Sequence, residues 1–274
     1  MSLSIIIPAN NEGAWIDACL AAVLASDGPR DAQVVVVANG CTDDTADRAR
    51  ACAQGFVARG WRMDVLEMPA LGKPGALDAG DGVAVHSARV YLDADVIVSP
   101  ALLGQIDRAL QDRAPRYASG TPRVTARSWI SRAYARFWVQ LPFVAQGVPG
   151  FGLYAVNAAG RARWGKFPAI ISDDTYVRVQ FTPDERVKLP ATYDWPIVEG
   201  FRRLVRVRRR QDQGVAEMHA QFPALMANEG KASPGKGWLL ARLVLDPLAF
   251  ATYAAVTLAV RAGWAGQDGW VRGR

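Results

Sequence analysis

Short apolar runs of strand length alternate with helical patterns over the first 110 residues of the 274-residue chain, and this alternation constrains the fold most. It predicts an α/β fold in which helices flank a mostly parallel sheet. A ligand is then expected at the carboxyl ends of the strands. The predicted strands are residues 3–7, 34–37, 65–66 and 88–92, and the predicted helices are 15–24, a segment to Ala53 with Thr42 as N-cap, 76–84, a segment after Pro100 and 129–141.

The net charge of +6 comes from one short segment. Six arginines and no acid lie between Arg202 and Arg210, and the remaining basic and acidic residues balance. A single basic patch favours a localised anionic partner and no nucleic acid, although a solvated or lipid-facing helix explains it equally well. Three cysteines without a CxxC pair favour a reducing compartment, and with no leader pattern at the start we expect a cytoplasmic protein.

Polar or glycine-rich stretches follow three predicted strands, and a fourth precedes a predicted helix. Each stretch alone is compatible with an ordinary solvated turn. Asp93 and Asp95 are two residues apart and share one face of an extended segment, and their carboxylates are oxygen ligands of the kind that Mg²⁺ or Mn²⁺ prefers. The four stretches read PANNE at 8–12, ANGCTDDT at 38–45, GKPGALDAG at 72–80 and YLDADV at 91–96.

Together these stretches resemble the motifs of family-2 glycosyltransferases with the GT-A fold, which read IIIPxxNE, VVxDGSTDDT, GKxxALNxG and LDADV. The resemblance is strong over residues 3–110 and weaker to about residue 217. It implies an inverting glycosyltransferase that uses a nucleotide-diphosphate sugar and a Mg²⁺ or Mn²⁺ ion. It also implies a GT-A domain over residues 1–236, with a donor-binding half over 1–115 and an acceptor half over 116–236.

The resemblance also implies roles for individual residues. Asp95 is expected to bind the metal, with Asp93 on the metal or the ribose, and Asp174 is expected to be the catalytic base beside Asp173, although both could merely cap a helix. Ala38 and Asn39 replace two aspartates of the family pattern, so uracil, guanine and cytosine all stay open. The residues expected at the nucleotide are Pro8, Ala9, Asn11, Glu12, Asn39, Lys73, Asp93, Arg206 and Arg209, while His219 is a weaker candidate for the metal site.

The C-terminal segment is apolar but short. Residues 247–260 contain no charge, and as a helix they would extend about 21 Å, less than the roughly 30 Å of a hydrocarbon core. We predict a C-terminal unit over residues 237–274 whose helix, at 238–262, lies on an anionic membrane surface or in the core. The membrane alternative places the protein on the inner face of the cell membrane. Two other functions stay open, a nucleotidyltransferase and a non-catalytic sugar-nucleotide-binding protein, and the acceptor is not predicted.

Overall fold

One sheet occupies the centre of the computed structural model, which describes residues 2–264. Its eight strands within that range are β1 Leu3–Ala9, β2 Ala32–Asn39, β3 Arg62–Met68, β4 Ala88–Leu92, β5 Ile97–Val98, β6 Tyr117–Thr125, β7 Leu153–Val156 and β8 Arg186–Pro196. They are ordered β3-β2-β1-β4-β7-β6-β8-β5. The first four strands are parallel, whereas β7 is antiparallel to both of its neighbours and β5 is antiparallel to β8.

Helices flank both faces of this sheet, which confirms the predicted α/β fold. Alternate residues of β1 point to opposite faces, so Ile5 and Ile7 lie in one hydrophobic core and Ile6 lies in the other. The helices are α1 Ile16–Leu24, α2 Thr45–Ala51, α3 Ala53–Ala58, α4 Gly72–Val83, α5 Leu102–Ala109, α6 Trp129–Trp138, α7 Pro142–Ala145, α8 Ala158–Arg161, α9 Asp173–Arg178, α10 Phe201–Gln221, α11 Pro223–Met226, α12 Lys236–Leu245 and α13 Pro247–Arg261.

The predicted N-cap of the second helix is wrong by two residues. The N-cap is Asp44 and not Thr42, because α2 begins at Thr45. Asp43 instead accepts a hydrogen bond of 3.1 Å from the backbone N–H of Thr45. The chain between β2 and α2 is therefore a turn held by an aspartate side chain.

The predicted apolar helix over residues 238–262 is two helices. Asp246 separates α12 from α13, where its Oδ1 accepts a 3.1 Å hydrogen bond from the N–H of Ala249. The same carboxylate forms a 2.8 Å ion pair with Arg136 of α6. Pro247 at the first position of α13 has no N–H with which to continue α12. A cap and a proline thus define this break.

A third hydrophobic cluster joins α6, α10 and α13. It contains Tyr134, Leu204, Val205 and Val256. Ala249 and Val256 of α13 are buried, whereas α12 has no buried residue. No helix among residues 2–264 has the length and apolar character needed to cross a bilayer.

Candidate functional site

A cleft of about 1170 Å³ opens at the carboxyl ends of β1, β2 and β4. Parallel strands end at one edge of the sheet, which brings the polar stretches that follow them together. The opposite wall comes from α9 and α10. Eleven of the predicted site residues line this cleft: Pro8, Ala9, Glu12, Asn39, Lys73, Asp93, Asp95, Asp173, Asp174, Arg206 and Arg209.

Lys73 connects the two sides of the cleft. Its Nζ lies 2.8 Å from Oδ1 of Asp93, which follows β4, and 3.2 Å from Oδ1 of Asp173 in α9. These two carboxylates raise the pKa of the ammonium group against the opposing effect of burial. A positive charge is thus fixed between the two pairs of aspartates.

Asp173 and Asp174 have different surroundings although they are adjacent. Asp173 is 5% exposed, and its Oδ2 accepts a 3.1 Å hydrogen bond from the hydroxyl of Tyr154 in addition to the ion pair with Lys73. Asp174 is less buried, and burial and the charge of Asp173 raise its pKa to about 6. Both lie in the first turn of α9, after Ser172 as N-cap. Asp173 is therefore held in place, while Asp174 is a weakly stabilised carboxylate facing the cleft.

Asp93 and Asp95 place two more carboxylates in the cleft. Burial and the charge of Asp93 raise the pKa of Asp95 to about 7, because the protein alone stabilises its anion poorly. In the described part of the chain, no three His, Cys, Asp or Glu residues are grouped closely enough to hold a metal by themselves. Mg²⁺-like ions usually need only one or two carboxylates when a substrate phosphate supplies other ligands. The pair therefore fits a divalent cation bound together with a diphosphate.

Asn39 is fixed at the end of β2 by two backbone partners. Its Nδ2 donates to the carbonyl of Gly72 over 2.9 Å, and its Oδ1 accepts from the N–H of Leu71 over 2.8 Å. The side chain is 6% exposed and lines the cleft. It thus positions the start of α4, the helix that carries Lys73.

Asn11, expected at the nucleotide, lies beside the cleft. Asn11 is not among the residues that line the cleft, whereas its neighbour Asn10 is. Its Oδ1 accepts hydrogen bonds from the N–H groups of Thr42, at 2.7 Å, and Asp43, at 3.2 Å. Its φ of 53° is left-handed, a conformation that asparagine tolerates better than most residues. Asn11 therefore joins the loops after β1 and β2.

The arginine patch is divided along α10. Arg202 and Arg203 are exposed, whereas the side chains of residues 206 and 208–210 reach the cleft. Arg208 donates to the hydroxyl of Tyr253 at 3.0 Å and pairs with Asp212, so it also fastens α10 to α13.

Arg210 is a cleft residue that sequence reasoning missed. Burial lowers its pKa, and the carboxylates of Asp173, Asp174 and Asp93 oppose that change. Its place in an arginine run was visible in the sequence, but the helix face that turns toward the aspartates was not. His219 is exposed and outside the cleft, so its candidacy for a metal site has no support.

Solved structures of nucleotide-sugar enzymes share this fold. A mannosyltransferase from Pyrobaculum calidifontis, in complex with GDP-Man and Mn²⁺, is 23% identical, with a TM-score of 0.64 over 97% of this chain and 76% of that one. S. aureus TarS with UDP is 14% identical, with a TM-score of 0.55 over 100% and 95%. Glucosyl-3-phosphoglycerate synthase from Mycobacterium tuberculosis, with Mn²⁺ and UDP-glucose, is 18% identical, with a TM-score of 0.53 over 80% and 78%.

The family comparison covers more than half of the chain. The model of "Glycosyl transferase family 2" matches residues 4–162, which include β1, β2, β4 and all four polar stretches. No curated protein sequence matches the chain. The match over residues 4–162 and the shared fold together lead to one conclusion: the chain belongs to glycosyl transferase family 2 and is a glycosyltransferase of the GT-A fold.

Proposed function

We propose that this glycosyltransferase moves a sugar, with inversion, from a nucleotide-diphosphate donor to a hydroxyl of an acceptor, and that it needs a divalent cation. One observation supports this most. Asp95 and Asp174 line the same cleft from opposite walls, and Lys73 is fixed between their partners Asp93 and Asp173. Inversion by one displacement needs separate groups on the leaving side and on the attacking side, and the two walls offer them.

On the donor side, we assign the nucleoside to Pro8, Ala9, Glu12 and Asn39. Asp95, with Asp93, would hold the cation, which when bound neutralises negative charge on the departing diphosphate. Arginines grip phosphate oxygens through two N–H groups at once, which suits Arg206 and Arg209 to the diphosphate. The division into a donor half at 1–115 and an acceptor half at 116–236 is part of this proposal.

On the acceptor side, we assign proton removal to Asp174. A carboxylate whose pKa is about 6 is a stronger base than an ordinary aspartate and is still ionised at neutral pH. Asp173, held by Lys73 and Tyr154, positions the turn from which Asp174 projects.

The test is to measure the affinity of the protein for UDP, GDP and CDP by calorimetry, once with Mn²⁺ present and once with a chelator that removes it. We expect chelation, or Asp95→Asn, to weaken binding at least about tenfold, a loss of about 1.4 kcal/mol. Asp184→Asn removes an exposed carboxylate outside the cleft and should bind as the wild type does. Equal affinities under all conditions would contradict the metal role.

A cytoplasmic place at the inner face of the cell membrane also belongs to the proposal. Cys19, Cys41 and Cys52 are free thiols, which suits a reducing compartment.

A further inference from the structure

Helix α12 exposes an apolar surface. Val244 and Leu245 are 72% and 70% exposed, and Leu240 is 62% exposed. Leu243 in the same helix and Leu248 at the start of α13 extend this surface. Soluble proteins rarely leave large apolar side chains exposed in one contiguous group, and such groups mark contact sites.

The charge around this helix is positive. Between Lys231 and Leu248, the segment that contains α12, the sequence has three basic residues, Lys231, Lys236 and Arg242, and one acid. Lys236 begins α12 and is exposed. Asp246 at its end is paired with Arg136. The surroundings of the apolar surface are thus complementary to an anionic partner.

The inner side of α12 is fixed to the protein. The ring of Trp238 packs edge-on against Phe137 of α6, with centroids 5.6 Å apart. Arg242 lies over the same Trp238 ring at 5.4 Å. The ten residues of α12 extend about 15 Å, half the thickness of a hydrocarbon core, so the helix can lie in a membrane interface but cannot cross it.

We propose that α12 is a membrane-docking helix, whose exposed leucines and valine enter the headgroup region of an anionic lipid surface. A second copy of the chain fits this surface less well. In a two-fold dimer the same patch meets itself, so the positive surplus of residues 231–248 would face an equal surplus. Anionic lipids instead attract lysines and arginines that lie near the apolar contact.

Docking through α12 also orients the cleft. Leu239, next to the exposed Leu240, lines the cleft together with Phe137 of α6. A lipid surface in contact with α12 therefore lies beside the apolar part of the cleft wall. The proposal concerns binding to lipid and does not depend on the reaction that the cleft performs.

The experiment is co-sedimentation of the full chain with vesicles of phosphatidylcholine mixed with phosphatidylglycerol, or of phosphatidylcholine alone, without any substrate. We expect binding to the anionic vesicles only, and weaker binding at high salt because salt screens the attraction. The double variant Leu240→Ser/Val244→Ser should lose at least about tenfold in vesicle affinity. Val57→Ser/Val85→Ser removes two exposed valines from α3 and from the turn after α4, and should bind as the wild type does.

Three outcomes would overturn the proposal. The first is a wild-type chain that binds neither vesicle, and the second is an equal loss of binding in the two double variants. The third is a wild-type dimer without vesicle binding that Leu240→Ser/Val244→Ser converts to a monomer, which would assign the surface to a second copy. Circular dichroism of each variant verifies that the fold is kept, which is expected because all four positions are exposed.

Discussion

The ammonium group of Lys73 lies 3.2 Å from a carboxylate oxygen of Asp173, and this ion pair joins the proposed donor and acceptor halves. Because Lys73 also pairs with Asp93, its ammonium group lies beside both aspartate pairs, Asp93 with Asp95 and Asp173 with Asp174. Its positive charge also lowers the pKa of Asp174, against the larger effects of burial and of Asp173.

The first prediction concerns Lys73→Met. We expect the transfer rate to fall at least about tenfold, because the two aspartate pairs would repel each other without the intervening cation. The acid limb of the kcat/KM profile should also move to higher pH, since the pKa of Asp174 rises when a nearby positive charge is removed. Lys166→Met, at an exposed position outside the cleft, is the matched control. A pH profile identical to that of the control would contradict the coupling.

The second prediction concerns the pH dependence of transfer. A general base must be ionised, so activity should fall about tenfold per unit as the pH drops below the Asp174 pKa of about 6. Asp174→Asn should lose at least about a hundredfold in transfer rate while its nucleotide affinity is kept. Near-normal transfer by Asp174→Asn together with an inactive Asp173→Asn would move the base to Asp173.

The third prediction concerns stability. The pKa of Asp174 in the folded protein, about 6, lies above that of an ordinary aspartate, about 4. Ionisation of Asp174 therefore destabilises the fold: the loss of stability is complete above about pH 6 and absent below about pH 4. Asp174→Asn should therefore raise Tm at pH 8, and by less at pH 5. Asp173→Asn should lower Tm at pH 8, because Lys73 would lose a charged partner. Scanning calorimetry at the two pH values tests both, and a lower Tm for Asp174→Asn at pH 8 would refute the assignment.

The fourth prediction compares two glycines of α4. A Cβ at Gly80 would lie 2.4 Å from Cγ2 of Ile6, so Gly80→Ala should cost about 1–3 kcal/mol of unfolding free energy. A Cβ at Gly82 meets nothing within 4 Å, and Gly82→Ala should stabilise the helix by about 0.5–1 kcal/mol. Urea unfolding curves measure both, and similar values for the two variants would contradict the close packing of α4 on β1.

The parallel half of the sheet could be predicted because its strands are buried on both faces. Apolar runs such as residues 34–37 have few alternatives to a central strand. The sequence does not predict strands β6, β7 and β8. In β8, an exposed proline, Pro190, and several half-buried positions interrupt the apolar pattern that would indicate a strand. Their place in the sheet is set by long-range pairing, for example of Tyr117 with Arg186.

The candidate site was predictable where residues follow a strand directly. Asp93, Asp95 and Asn39 reach the cleft through the backbone of β4 and β2, so their position follows from that of the strands. Arg210 and Tyr154 reach the aspartates through the packing of α10 and β7, which no local pattern encodes. The roles of all these residues stay predictions.

The hydrogen bonds of Asn11 have a thermodynamic consequence. Its Oδ1 fastens the turn after β2 to the turn after β1 before any ligand is present. Immobilising loops and side chains on association costs conformational entropy, and a preorganised site avoids that cost. A nucleotide that binds between these turns therefore meets a surface already ordered by folding, so little of its contact energy is spent on ordering the protein.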